Sequence, residues 1–414
     1  MTNSAPLTDA LESVLRFGAL MLRAGDAAFR VREAMVLIAT SLGIEQFSLH
    51  ITVRGMTATA WRGGEHVTLA SEVGSLGIDA RRLGALERLA RESKPGLTSA
   101  ALTSQLDAIE ATGGSRSLLV VAIAVGFASG SFGYLNGGGQ VAMLAAFVAG
   151  GFGQALRMLL FGQRLNQYAV TAVCGFVAAG LYYLVARLLV QAGLPSDHGV
   201  GIVAAVLFLV PGFPLVAALL DLLQHQTVAG IVRLVYGMVL LLAAAFGLGI
   251  VAALAGFSAA AAPLPPPDSL AATLLWRAIA SVLGGCGFAV LYNGSLRTVL
   301  AVGALALVGN EVRLALHDQG FQLASATFVG ALAVGLLASF AQSRLHEPRI
   351  ALTVPGIIIM VPGAYAFQAV VLFGQGNVIA GLQPAFLAAF VVGAMALGLA
   401  AARFVSERKW LVES

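Results

Sequence analysis

The order of apolar and polar residues along the chain changes character near residue 117. Before that point the pattern is mixed. Apolar residues return at helical spacing over Leu7–Arg23 and again over Asp26–Leu42, with Gly25 as the stop of the first helix and Asp26 placed to cap the second. The segments 46–53, 56–61 and 66–70 alternate as strands, with Gly55 and Gly63-Gly64 as the turns. Two more helices are predicted near 79–93 and 99–111, ending at Gly113-Gly114. After residue 117 the chain becomes a succession of apolar runs, each near the length of about 20 residues that spans a bilayer. They fall near 118–135, 139–161, 169–192, 199–220 and 228–256, then near 270–292, 296–316, 321–342, 350–373 and 383–405. The stretch Pro263-Leu-Pro-Pro-Pro-Asp268 between the two sets reads as a stiff linker.

The second set repeats landmarks of the first. Asn136 recurs as Asn293, Gln154 as Asn310 and Arg157 as Arg313, while Val210-Pro211-Gly212 recurs as Val361-Pro362-Gly363. Five spans per set is an odd number, so the second set enters the membrane from the opposite side, the inverted arrangement of many secondary transporters. The expected fold is an α-helical polytopic membrane protein of ten spans in two five-helix inverted repeats, with an N-terminal cytoplasmic α+β domain. The divisions are 1–117 for that domain, 118–256 and 270–414 for the repeats, and 257–269 for the linker.

Composition narrows the class. The 414 residues are 58% hydrophobic and 11% charged, less than half the charged fraction of about 25% usual in soluble domains. Half of the 24 basic and twelve of the 20 acidic residues lie in 1–117. No basic block suggests nucleic acid. Met1–Ala10 lacks the charged start of a signal peptide, so the N-terminal part is expected to stay where it is made. With it in the cytoplasm, Arg157, Arg164, Arg233, Arg297, Arg344, Arg349, Arg403, Arg408 and Lys409 also fall inside, against Arg187, Arg277 and Arg313 outside. That bias places both termini in the cytoplasm. Trp276 fits an interfacial anchor. Cys174 and Cys286 lie within apolar spans and read as small buried hydrophobes. Gly126/Gly130 and Gly133/Gly137 suit close helix contacts, within one chain or in a homo-oligomer.

Particular residues resemble a known family. Leu15–Gly43, the span ending Phe132-Gly-Tyr-Leu-Asn-Gly-Gly-Gly, and Val210-Pro-Gly-Phe-Pro resemble the N-terminal part of the threonine/serine exporter (ThrE) family. Val354-Pro-Gly-Ile-Ile-Ile-Met-Val-Pro-Gly363 resembles its smaller C-terminal part. In some members the parts are separate polypeptides, and some two-part members are associated with dicarboxylate export. The resemblance implies proton-coupled export of small polar metabolites from the bacterial cytoplasm, with a proton as coupling ion and no other cofactor. Threonine and serine are the leading substrates, and C4-dicarboxylates such as succinate the alternative. A dicarboxylate needs more cationic groups than the spans offer, mainly Arg157 and Arg313.

Prolines and ionisable residues within spans mark the candidate pathway. Pro211, Gly212 and Pro214 are expected to interrupt the fourth span, and Pro355-Gly356 and Pro362-Gly363 the ninth. Backbone groups freed in this way persist in a membrane only where protein or a cavity satisfies them, which makes the breaks candidate binding sites. Asn136 and Asn293 hold the short turns between the first two spans of each set, either as tight turns or as mouths of the pathway. Gln154 and Asn310 join the substrate-binding candidates. Arg157 and Arg313 are candidate gates or snorkelling side chains, and Asp221 and Glu311 candidate proton carriers.

The other chemistry is bland. Ser48, His50 and Thr52 share a strand face with Thr57 and Thr59 nearby, and Arg30, Arg32 and Glu33 read as the outer face of a helix. No nucleophile elbow, metal spacing or phosphate loop accompanies them. His198, His225, His317 and His346 are scattered over loops and span ends. A hydrolase is therefore not expected, and a sensor would leave the duplicated broken helices without a purpose.

Overall fold

The computed structural model describes residues 6–407 except 53, 75–76, 113–115, 164, 196–199 and 257–268. The proline-rich stretch 263–268, Gly113-Gly114, Arg164, His198, Arg408 and Lys409 lie outside the described residues.

The N-terminal part follows its sequence pattern closely. Helices α1 (Leu7–Arg23) and α2 (Ala28–Ser41) precede an antiparallel sheet of β1 (Gln46–Ile51), β2 (Gly55–Arg62) and β3 (Glu65–Glu72), then α3 (Ala80–Glu92) and α4 (Ser99–Thr112). The helices bury Leu11, Val14, Phe17, Met21, Met35 and Ile38, and the sheet contributes Leu49, Met56 and Ala58 to the same core. Gly18 lets α1 approach α2, because a Cβ there would collide with the Met35 sulfur. Ser48 pairs with Thr59 and His50 with Thr57 across the sheet, and Ser48, His50 and Thr57 are exposed.

One expectation here fails. Asp26 does not cap α2: its carboxylate accepts from the Ala27 amide at 2.9 Å, one position too early. The cap comes from another part of the chain. Asp221 Oδ1 accepts from the Phe29 amide at 3.3 Å, the second-position N–H that a capping side chain ordinarily takes.

The apolar region consists of α5 (Leu118–Leu135), α6 (Gln140–Phe161), α7 (Gln167–Gln191), α8 (Val200–Ala205), α9 (Gly212–Leu223) and α10 (Thr227–Ala255). It continues with α11 (Leu270–Leu291), α12 (Leu296–Asp318), α13 (Leu323–Leu345), α14 (Arg349–Ile357), α15 (Gly363–Gly374) and α16 (Val378–Ser406). Among the described residues eight helices are long and apolar enough to cross a membrane. The bent pair 349–360 and 363–374, whose axes differ by 55°, makes a ninth if its two arms count as one span. The expected span at 199–220 is divided among α8, a short 3₁₀ turn at Leu207–Leu209, and α9.

The two sets share local geometry. Helices α9 and α15 have 12 residues each, and α10 and α16 have 29 each. Both α9 and α15 follow a 3₁₀ turn and a proline with nearly identical backbone angles, φ −79°, ψ 52° at Pro211 and φ −80°, ψ 53° at Pro362. Packing repeats as well. A Cβ on Gly247 would strike the Ala172 carbonyl, and one on Gly398 would lie 2.5 Å from that of Phe328. These glycines bring α10 against α7 and α16 against α13 at matching positions. Gly126 and Gly130 similarly face α6 within the chain, against the carbonyls of Phe147 and Met143.

The sets meet along α5 and α11, which run antiparallel: Gly284 faces Ser131 while Gly287 lies against Ala124 and Ala128. The two breaks also touch. A Cβ at Gly212 would lie 3.3 Å from Val361 Cγ2, and one at Gly363 3.8 Å from Val210 Cγ2. Each glycine thus meets the valine that precedes the other break.

Three further expectations need correction. Pro355-Gly356 does not interrupt its span, since α14 runs through Pro355 and ends at Ile357. Only two residues follow that proline in the helix, and the chain tightens into a 3₁₀ turn before breaking at Val361-Pro362. Pro214 does not break α9 either, because it sits in the first turn, where its missing N–H has no helical partner to lose. The pairing of Asn136 with Asn293 is displaced by one. Asn293 takes the left-handed position (φ 57°) held by Gly137 (φ 93°), whereas Asn136 is a helix C-cap, as Tyr292 is.

Candidate functional site

A cavity of about 300 Å³ lies at the first break. One wall is the backbone from Phe208 to Pro211, continuing to Phe213 and Pro214. Helix α6 supplies Gln154 and Arg157, α7 Thr171, and α10 Arg233, Tyr236 and Leu240. Leu291 and Tyr292 from the end of α11 complete the membrane side. The N-terminal part lines the cavity with Leu22, Gly25, Gly77 and Ile78.

Gln154 and Arg157 are three residues apart on α6, so both project from one helix face. The Arg157 guanidinium donates from Nη1 to the Phe208 carbonyl at 3.1 Å and lies 5.1 Å from the centre of the Phe161 ring. That carbonyl belongs to the 3₁₀ turn before the break, where regular helix bonding ends. Among the described residues no carboxylate lies within ion-pairing distance of Arg157. Its Nε and the Gln154 Oε1 are buried without a hydrogen-bond partner. The cavity therefore offers an uncompensated cation and, on the same helix face, an unmet acceptor. Buried polar groups are rarely left so, because each unpaired one costs about 1–3 kcal/mol. Across the cavity, Gln167 Nε2 donates to the Tyr236 hydroxyl at 2.5 Å.

The second cation is already committed. Arg233 donates from Nη2 to the Asp26 carbonyl at 2.9 Å, and its Nη1 lies 3.6 Å from Asp221 Oδ2. Asp221 is wholly buried and also caps α2, so it joins α9, α10 and the N-terminal part. Arg30, expected on an outer face, is nearly buried and pairs with Asp26 at 3.3 Å and with Glu87. Arg32 bonds the Leu49 carbonyl at 2.7 Å, and Glu33 is exposed.

The second set carries a matching arrangement away from the cavity. Arg313 Nη1 donates to the Met360 carbonyl, in the 3₁₀ turn before Pro362, at 3.3 Å. Asn310 is fully buried and donates to Ser281 Oγ at 2.9 Å, and that hydroxyl lies 3.5 Å from Glu311 Oε1. Asn310, Glu311, Arg313, Pro355, Gly356, Pro362 and Gly363 do not line the cavity. The Asn136 amide bonds the Phe132 carbonyl of its own helix, as a turn residue does. Asn293 bonds Asp79 of the N-terminal part at 3.1 Å. His225 and His346 follow helices in the left-handed conformation.

Sequence patterns missed Thr171, Arg233, Tyr236, Tyr292 and the N-terminal loops as parts of this site. Arg233 carried a usable signal as the single charge in the 29 residues of α10. Nothing local to the sequence links Gly25 or Ile78 to a cavity some hundred residues further along the chain.

Residues 12–255 match the family ThrE, described as "Putative threonine/serine exporter", and residues 277–405 match ThrE_2, described as "Threonine/Serine exporter, ThrE". A "Probable threonine/serine exporter" of Mycobacterium tuberculosis is 25% identical over 386 residues, covering 89% of this chain and 70% of that protein. A "Threonine/serine exporter" of Corynebacterium glutamicum is 23% identical over 418 residues, covering 99% and 84%. A "Probable succinate transporter subunit YjjP" of Klebsiella aerogenes is 25% identical over 228 residues, covering 55% of this chain and 86% of that subunit. No solved structure matches the chain.

Proposed function

We propose a mechanism whose premise is the family: the chain belongs to the threonine/serine exporter (ThrE) family. It is a multi-pass bacterial membrane protein that exports threonine and serine. In our reading the ten spans form two inverted five-span repeats with both termini in the cytoplasm and a separate N-terminal domain. Antiparallel α5 and α11, the equal lengths of α9/α15 and α10/α16, and the reciprocal contacts of Gly212 and Gly363 support it. Rocking of one repeat against the other about the touching breaks would expose the substrate to each side in turn, driven by proton exchange.

The observation that carries the substrate reading is Arg157 without a carboxylate partner, in a cavity beside broken backbone. A substrate carboxylate neutralises that guanidinium, and Gln154 Oε1 accepts from the substrate ammonium or hydroxyl. The cavity's second guanidinium, Arg233, is occupied by Asp221 and the Asp26 carbonyl. One free cation suits one carboxylate, so an amino acid fits better than succinate, although two probable succinate-transporter subunits match 55% and 56% of this chain.

The test is uptake of labelled threonine, serine and succinate into proteoliposomes, with and without a pH gradient. Gradient-stimulated threonine transport that succinate does not compete with is the expected result. Arg157→Gln should lower kcat/KM for threonine by about 10- to 100-fold, the usual worth of a hydrogen bond to a charged group. Unchanged kinetics in that variant would remove Arg157 from the substrate site. Succinate transport alone would keep the architecture and replace the substrate.

A further inference from the structure

The N-terminal domain borders the cavity. Its Gly25 turn and Gly77-Ile78 loop supply the cavity wall opposite the membrane helices. The two are packed backbone to backbone: Gly25 has φ +99°, and a Cβ there would lie 2.9 Å from the Gly77 carbonyl. Gly77 N and Asp79 N donate to the carbonyls of Arg23 and Ala24, so the turn and the loop form one unit.

That unit is held to the ends of the membrane helices at separate points. Asp221 caps α2, and Arg233 grips the Asp26 carbonyl. Ala80 N donates to the Tyr292 carbonyl at 2.9 Å, and Asn293 bonds Asp79. Arg116 donates to the Gly294 carbonyl at 2.6 Å. The Arg403 guanidinium stacks 5.4 Å from the centre of the Phe29 ring. Gly84 of α3 faces the Glu347-Pro348 turn, where a Cβ would come within 3.3 Å of Pro348 Cδ.

These contacts are polar and hydrogen-bonded, and among the described residues no helix or strand of the domain packs along a membrane helix. Interfaces of this kind permit relative domain motion.

We propose that the N-terminal domain builds the cytoplasmic wall of the substrate cavity and is its gate, the Gly25 turn and the Gly77-Ile78 loop lifting from the cavity to admit substrate. This rests on the transport reading above. Asp221 and Arg233 are then positioning residues of the latch, and the described structure is the state closed to the cytoplasm. Proton transfer through Asp221 is not required for this role.

A reversible lock tests it. Gly84→Cys with Pro348→Cys places two thiols across the junction and away from the cavity. In the full-length protein in proteoliposomes, oxidation should form the disulfide and reduce threonine transport at least about tenfold, a shift of about 1.4 kcal/mol. A reductant should restore it. The companion measurement adds Thr171→Cys, inside the cavity, and follows its labelling by a membrane-impermeant maleimide from the domain's side of the membrane. Labelling should be fast in the reduced protein and suppressed in the oxidised one. Equal transport or equal labelling in both forms overturns the gate. Absence of the disulfide under oxidation also overturns it, since the domain would not rest on Pro348. If labelling is fast in the reduced protein and suppressed in the oxidised one but the reduced protein moves no threonine, the substrate reading fails and the gate stands.

Discussion

Glycine is the residue type whose placement is most demanding in this molecule, and two glycines of α10 show how differently it is used. At Gly247 a Cβ would run into the Ala172 carbonyl and the Phe176 amide, so the α7–α10 crossing depends on hydrogen at that position. At Gly249 nothing lies within 4 Å. Gly247→Ala should therefore force the helices apart, with a destabilisation in the range of about 1–3 kcal/mol typical of overpacking. Gly249→Ala should be neutral or stabilise by about 0.5–1 kcal/mol through better helix propensity. Thermal unfolding of both variants in the same detergent checks this, and equal midpoints would mean that the helices part without cost. The two positions look alike in sequence, being glycines in one apolar run, and only the crossing tells them apart. The cations behave in the same way. Arg157 and Arg233 read alike as charges in apolar segments, yet one faces a cavity without a counter-ion while the other is tied to Asp221 and Asp26. What distinguishes them is a partner from a distant part of the chain.

Elements were easier to read than their junctions, because periodicity reports a helix but not what caps it. Helix α2 illustrates the point. Its sequence supplies Asp26 where a cap belongs, but the backbone places Ala27 at the cap position and the carboxyl comes from Asp221. Asp26 is instead buried beneath the docked domain. Burial pushes its carboxyl above the ordinary carboxylate value, partly opposed by Arg30 and Arg403 and reinforced by Glu87. The sign follows directly. A carboxyl whose pKa is raised on docking favours the docked state most when it is protonated, so that contribution is present at low pH and fades as pH rises through the raised value. Docking should tighten on mild acidification, and Asp26→Asn should flatten the dependence. Hydrogen exchange of the Ala28 and Phe29 amides, corrected for intrinsic rates, is the measurement. Protection that rises with pH in the unsubstituted protein would contradict the assignment. The two proline breaks teach a related lesson. Of the four prolines expected to matter, only Pro211 and Pro362 sit at a break; Pro214 falls in the first turn of α9, where a helix tolerates proline, and Pro355 lies inside α14, two residues before its end.

For the whole molecule, duplication was the most legible property, because a repeated Val-Pro-Gly and a repeated arginine survive in the sequence when little else does. The hidden part was the use each copy makes of its landmarks. Arg157 and Arg313 both donate to the 3₁₀ turn of their own set, but only the first faces the cavity that the N-terminal domain covers. In the alternating-access reading proposed above, inverted repeats expose one central site to each side in turn. The arrangement holds only if the sets are inverted in the membrane, and matched positions can test this directly. Gln163 follows α6 and Gln319 follows α12; both are exposed and occupy corresponding turns. Gln163→Cys should react with an impermeant maleimide only from the cytoplasmic side, and Gln319→Cys only from the outside. Labelling of both from one side would make the repeats parallel. The broken helices would then meet without a two-fold relation, and a single rocking motion could not open the same cavity to each side in turn.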